Sequence, residues 1–84
     1  MKQGDLVQYK LFVDSDEKLG NIGVILELQT DLMVPSRYGG ALYEKVDLLS
    51  IRWLNEGARE YIPYYREDHD GQRWYLKTNF YLVF

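Results

Sequence analysis

The stretch 50–63, SIRWLNEGAREYIP, limits the fold more than any other part of this chain. Ile51, Trp53 and their neighbours alternate with polar residues, which is the period of a half-buried strand. Asn55-Glu56-Gly57 supplies a turn, and Arg59 to Ile62 alternates back, so the segment reads as a β-hairpin. No window of helical length carries an amphipathic period, which leaves an all-β architecture.

With 84 residues, the chain holds one domain near the lower limit of independent folding, so its core must be dense in large apolar groups. Eight Tyr, two Trp and three Phe meet that need, since such rings bury much area while keeping a polar edge wet. Gly4-Asp5 reads as a turn into a first strand over 6–13, with Val7, Tyr9 and Leu11 on one face. The polar run 14–21 is a turn. A second strand over 22–28 places Ile22, Val24, Leu26 and Leu28 in one inward row, and Gly23 marks a bulge or the close approach of another backbone.

Residues 29–44 are the least regular, because Pro35, Gly39 and Gly40 interrupt any long element. A third strand is expected over 45–54, a fourth over 59–64 and a closing strand over 80–84. The charged run 66–73 is a turn region, and 74–77 reads as strand or a short helical turn. The whole predicts a single five-stranded SH3-like β-barrel over 1–84, with a long loop at 29–44.

Charge and composition narrow the function. The net charge is −3, and the ten basic residues are scattered rather than aligned as a phosphate-tracking stripe. Nucleic-acid affinity rests largely on neutralised phosphates, so this balance argues against it. There is no cysteine, hence neither a disulfide nor a thiolate metal site. The first residues carry no apolar run of signal-peptide length, and the cluster 24–28 is short and broken by Glu27, so a soluble, unexported chain is expected.

Chemistry-bearing motifs are few. His69 lies in Asp68-His69-Asp70-Gly71, whose Asp-Gly favours an exposed turn over a metal site needing convergent ligands. Asp14, Asp16 and Glu17 do not fit the register of a calcium loop. Ser15, Ser36 and Ser50 lack a nucleophile-elbow context, and Gly39-Gly40 is not followed by the Lys-Ser/Thr of a phosphate loop. No enzyme, cofactor or metal is expected.

The aromatic pairs Tyr64-Tyr65 and Trp74-Tyr75 are the leading binding candidates. Neighbours on a strand face opposite ways, so one ring of each pair should reach solvent, with Arg66 and Arg73 beside them. Exposed tyrosine is ordinary on a thin barrel, but Tyr, Trp and Arg also dominate interface hot spots. Residues 32–43 are more apolar than a solvated loop needs. They either cover an open barrel end or bind a partner through Met33, Val34 and Tyr38.

GDLVQYK at 4–10, GVIL at 23–26 and IRWLNEG at 51–57 together resemble the small SH3-like or KOW-like barrels encoded by tailed bacteriophages, those of marine and cyanobacterial phages in particular. The resemblance implies the fold and a viral origin. Most of the group has no assigned role, so the function is read from the aromatic pairs and the 32–43 segment: a non-enzymatic protein-interaction module that binds a host protein or serves as a small virion component, expected in the host cytoplasm or the virion. A KOW-type barrel implies the alternative of nucleic-acid or transcription-complex binding. The segments 29–44 and beyond Tyr64 exceed the family's minimal barrel, and such additions are where a specialised function sits.

Overall fold

A computed structural model describes residues 1–10, 21–36, 42–55 and 57–83. Strands β1 (Leu6–Tyr9), β2 (Ile22–Pro35), β3 (Tyr43–Trp53), β4 (Arg66–Glu67), β5 (Arg73–Leu76) and β6 (Phe80–Leu82) form one antiparallel sheet. Its order is β4-β5-β3-β2-β1-β6. The chain is all-β as expected, but among the described residues there are six strands rather than five, and the sheet does not close. Its edges are the two short strands β4 and β6.

β1 begins where the sequence predicts, with Val7 and Tyr9 buried together; Leu11 lies outside the described residues. The inward row expected on β2 is reversed at its start. Val7 pairs with Gly23, and partners across an antiparallel ladder share a face. Gly23 and Ile25 therefore point into the core, and Ile22 and Val24 point away. A bulge then sets Leu26 and Glu27 against Ser50 and shifts the phase by one residue. Leu28 consequently turns inward, opposite Leu49, while Leu26 stays exposed.

Gly23 fixes this register. A Cβ there would collide with the Ile51 side chain and lie 3.1 Å from the Arg52 carbonyl oxygen and 3.2 Å from Trp53 Cε3. Of the two readings left open by the sequence, close approach is therefore the role of this glycine.

The predicted fourth strand over 59–64 is instead a one-turn helix, α1 (Ala58–Tyr61). Asn55 starts it: its Oδ1 accepts the Gly57 N–H at 2.9 Å, and its carbonyl accepts the Ala58 N–H at 3.0 Å. Ala58 and Ile62, four residues apart, are both buried, so the period here is helical rather than two. Pro63 ends the turn by holding Ile62 extended, at ψ 122°. Residues 74–77 resolve into the end of β5 followed by a 3-10 turn, Lys77–Asn79, which delivers the chain to β6.

The main core joins Val7, Tyr9, Ile25, Leu49, Ile51, Ala58, Ile62, Tyr75 and Phe80. Rings dominate its centre: Trp53 meets Tyr75 edge-on at 5.4 Å, and Phe80 lies 5.5 Å from Tyr9 and 6.0 Å from Tyr75. Trp53 Nε1 donates to the Tyr75 hydroxyl at 3.1 Å, which satisfies the indole. Where β3 crosses β5 the sheet is buried on both faces. Leu49 and Tyr75 face this core, while Leu48 and Trp74 are buried on the other side.

Candidate functional site

Residues 29–35 and 43–44 are not an irregular loop: β2 and β3 run on as a two-stranded arm. Past the β3–β5 pairing the two strands pair with each other, from Leu32↔Val46 to Pro35↔Tyr43, with the Ser36 N–H donating to the Leu42 carbonyl at 2.9 Å. The molecule measures 42 × 26 × 24 Å. Its radius of gyration, 13.3 Å, exceeds the roughly 12 Å of a compact domain of this length.

The arm has two unlike faces. Leu32, Val34, Glu44 and Val46 share one, on which Val34 is buried. Met33, Pro35, Tyr43 and Lys45 share the other. Met33 is 56% exposed, Tyr43 65%, and Leu42 beside them 70%. These are the most exposed large apolar residues near one another in the described chain, and among the described residues no third strand pairs with this ribbon.

The root of the arm is a second irregularity. Thr30 and Asp31 oppose Asp47, and Asp31 takes a left-handed backbone at φ 55°, a conformation that Asp tolerates better than most residues. Its N–H donates to Asp47 Oδ1 at 2.9 Å, and Lys77 Nζ approaches Asp47 Oδ2 at 3.4 Å. The Asp31 N–H, aided by Lys77 and opposed by burial, holds the Asp47 carboxyl below its ordinary pKa. A cleft of about 570 Å³ lies beside this root, lined by Asp31, Lys45, Asp47, Lys77 and their neighbours.

The structure divides the residues named from sequence. Met33 stands on the exposed arm face, Val34 is buried behind it, and Tyr38 lies outside the described residues. The expectation of one exposed ring per pair holds for Tyr64, which is exposed, beside a half-buried Tyr65. It fails for Trp74 and Tyr75, which are 3% and 2% exposed, because β5 is covered on both faces. Trp74 Nε1 also donates to Asp68 Oδ2 at 3.4 Å.

Arg73 is a structural hub. Its Nε donates to Glu67 Oε2 at 3.0 Å and its Nη1 to the Arg59 carbonyl at 2.7 Å, while its guanidinium lies 4.5 Å over the Tyr64 ring. The Glu67 carboxylate, aided by the Tyr64 and Tyr75 rings and opposed by desolvation, raises the Arg73 pKa. These contacts tie α1, the segment after Pro63 and the β4–β5 hairpin together. Arg66 is exposed and donates to Gln29 Oε1 at 2.9 Å. The 66–73 turn is closed by Asp68, whose Oδ1 accepts the N–H of Asp70 and of Gln72, both at 3.0 Å. His69 is exposed at its tip.

Tyr43 belongs to the exposed arm face but not to the contact residues chosen from sequence; the signal was the apolar excess of 32–43. No protein-family model, curated protein or solved structure matches this chain.

Proposed function

We propose that this chain is a non-enzymatic protein-interaction module on an SH3-like open barrel, phage-encoded as its resemblance to such phage barrels implies, that grips a protein partner with the distal β2–β3 arm. The single observation carrying this reading is the exposed face of the arm that Met33, Pro35 and Tyr43 share. Exposed apolar contacts of this kind are costly to leave in water and are characteristic of interaction sites. Tyr43 supplies a rigid aromatic anchor and Met33 an adaptable one.

The strand order supports the SH3-like part. With the two-residue β4 set aside, β5-β3-β2-β1-β6 is a meander whose last strand returns beside the first after a 3-10 turn. Such connectivity is that of SH3-like barrels. The partner is a host protein or a viral structural protein, met in the host cytoplasm or in the virion.

The double variant Met33→Asp/Tyr43→Asp tests the reading. Both side chains already face solvent, so far-UV circular dichroism and Tm should stay close to wild type. Affinity capture from the native cells should lose the partner retained by wild type. A partner captured equally by both proteins refutes the arm as the contact. Capture that depends on nucleic acid and disappears with nuclease favours the KOW-like alternative.

A further inference from the structure

The sheet has an outer face, turned away from the core. Val7 and Tyr9 point inward, so Leu6 and Gln8 point outward. The residues paired with them share that side: Val24 with Leu6, and Ile22 and Tyr81 with Gln8. Leu26 follows Val24 on the same side of β2. Where β3 meets β5 this outer face is covered, with Leu48, Ser50 and Trp74 buried. Over β2, β1 and β6 it is not. There Leu6, Leu26 and Tyr81 are exposed, and Ile22 and Val24 are half-buried. These are cross-strand neighbours forming one patch, and a contiguous apolar patch on a sheet marks an interaction surface.

Opposite charges stand at the two ends of the patch. Lys10 Nζ lies 5.1 Å over the Tyr81 ring, which places it on the outer face beyond Gln8. Glu27 is exposed and pairs with Ser50, two residues from Arg52 on β3, so it faces outward at the other end. Gln8 is level with Ile22, which sets Lys10 and Glu27 roughly 20 Å apart along the strands. Among the described residues neither makes an ion pair. Arg52, opposite Val24, is exposed at the β3 margin of the face.

We infer that this face packs on the same face of a second copy of the chain, about a two-fold axis running across the strands midway between Lys10 and Glu27. Such an axis carries each end of the patch onto the other, so Lys10 of each copy meets Glu27 of the other, and the pair forms twice. Leu6, Ile22, Val24 and Leu26 of both copies leave water between them. A face with one sign of charge at both ends would repel its own copy; here the ends match under the symmetry. The patch is roughly 20 Å long and four strands, or about 15 Å, wide, at the small end of specific interfaces, so the dimer is a weak one.

The arm takes no part in this contact. Lys45 alternates with Asp47 and the core residue Leu49, and Met33, Pro35 and Tyr43 share the side of Lys45, so the exposed arm face looks the opposite way. Both arms of the dimer stay free, and a partner offering two sites would be held more tightly than by one chain.

Sedimentation equilibrium of the whole chain from about 10 μM to 1 mM covers the range in which such a dimer dissociates. Wild type should move from monomer toward dimer mass across it. Leu26→Asp should stay monomeric, and since Leu26 is exposed, an unchanged circular dichroism spectrum shows that this variant folds. Lys10→Glu and Glu27→Lys should each raise Kd about tenfold, because the symmetry doubles every charge contact. The double reversal Lys10→Glu/Glu27→Lys should return Kd to within about threefold of wild type. A wild-type chain that stays monomeric at the highest concentration, a dimer indifferent to Leu26→Asp, or a double reversal as weak as either single one overturns the inference. Self-association lost in Met33→Asp/Tyr43→Asp but kept in Leu26→Asp assigns it to the arm and overturns the inference as well.

Discussion

Replacing Gly23 by alanine is the sharpest test of the strand register. The new methyl would overlap the Ile51 side chain and sit 3.1 Å from the Arg52 carbonyl oxygen, so a rotamer change relieves the first contact but not the second. Overpacking of this kind costs about 1–3 kcal/mol. Removing glycine from a strand interior returns roughly 0.5–1 kcal/mol of chain entropy. The net expectation is a loss centred on about 1 kcal/mol and reaching at most about 2.5 kcal/mol, the central value being roughly 4–8 °C in Tm for a domain of this size.

A double-mutant cycle with Ile51→Ala isolates the cause. That change alone should cost about 2–5 kcal/mol, since Ile51 belongs to the main core. In the double variant the methyl introduced by Gly23→Ala occupies room that the shortened Ile51 side chain leaves. The two effects should then fall short of their sum by about 1 kcal/mol, read from urea unfolding. Gly23→Ala without loss of stability, or additivity within about 0.5 kcal/mol, refutes the register.

Other outcomes follow from the same geometry. Tyr75→Phe removes the acceptor of the Trp53 indole N–H and should cost about 1–2 kcal/mol by denaturant titration, with a change in Trp53 fluorescence. Arg73→Ala should lower Tm by breaking three contacts at once, and Arg73→Lys should recover only part of the loss, because a single ammonium cannot reproduce the fork. Neither change should alter partner capture at temperatures where the variant is folded. The Asp47 carboxyl is lowered in the folded chain, so its stabilisation is complete above the unfolded value of about 3.9 and is lost as pH falls through the lower folded value. The stability gap between wild type and Asp47→Asn should therefore be flat from about pH 5 to 8 and narrow below about pH 4, in urea titrations across pH.

What the sequence disclosed depended on how cleanly one period dominated. β1, β3 and β6 alternate between turn residues, and their described parts lie close to the predicted places. β2 misled because IGVILEL is apolar at both phases, so nothing in the pattern revealed the bulge at Leu26 or which row faced inward. The arm was hidden by Pro35 and the glycine pair, which read as loop although Leu32 to Pro35 still pair with β3. Helix α1 was short enough to imitate alternation, though Asn55 and the Ala58–Ile62 spacing carried its signal.

The candidate site was legible in part for the same reason. Apolar excess in 32–43 pointed to the arm, and Met33, named from sequence, is exposed on it. Which residues faced out depended on the register at Asp31, set by a hydrogen bond to Asp47 that no local pattern encodes. Trp74 and Tyr75 were offered as surface rings because a strand was assumed to have one wet face. β5 lies where the sheet is covered on both.

The central claim, that the arm is the contact surface, is tested most directly by photo-crosslinking in the native cells. Benzoylphenylalanine replaces Tyr43 in one protein and His69, an exposed tip residue of the 68–71 turn, in a control. The account predicts one dominant protein adduct from position 43, insensitive to nuclease, and none from position 69. An adduct from position 69 alone, or crosslinks from position 43 to nucleic acid only, contradicts it.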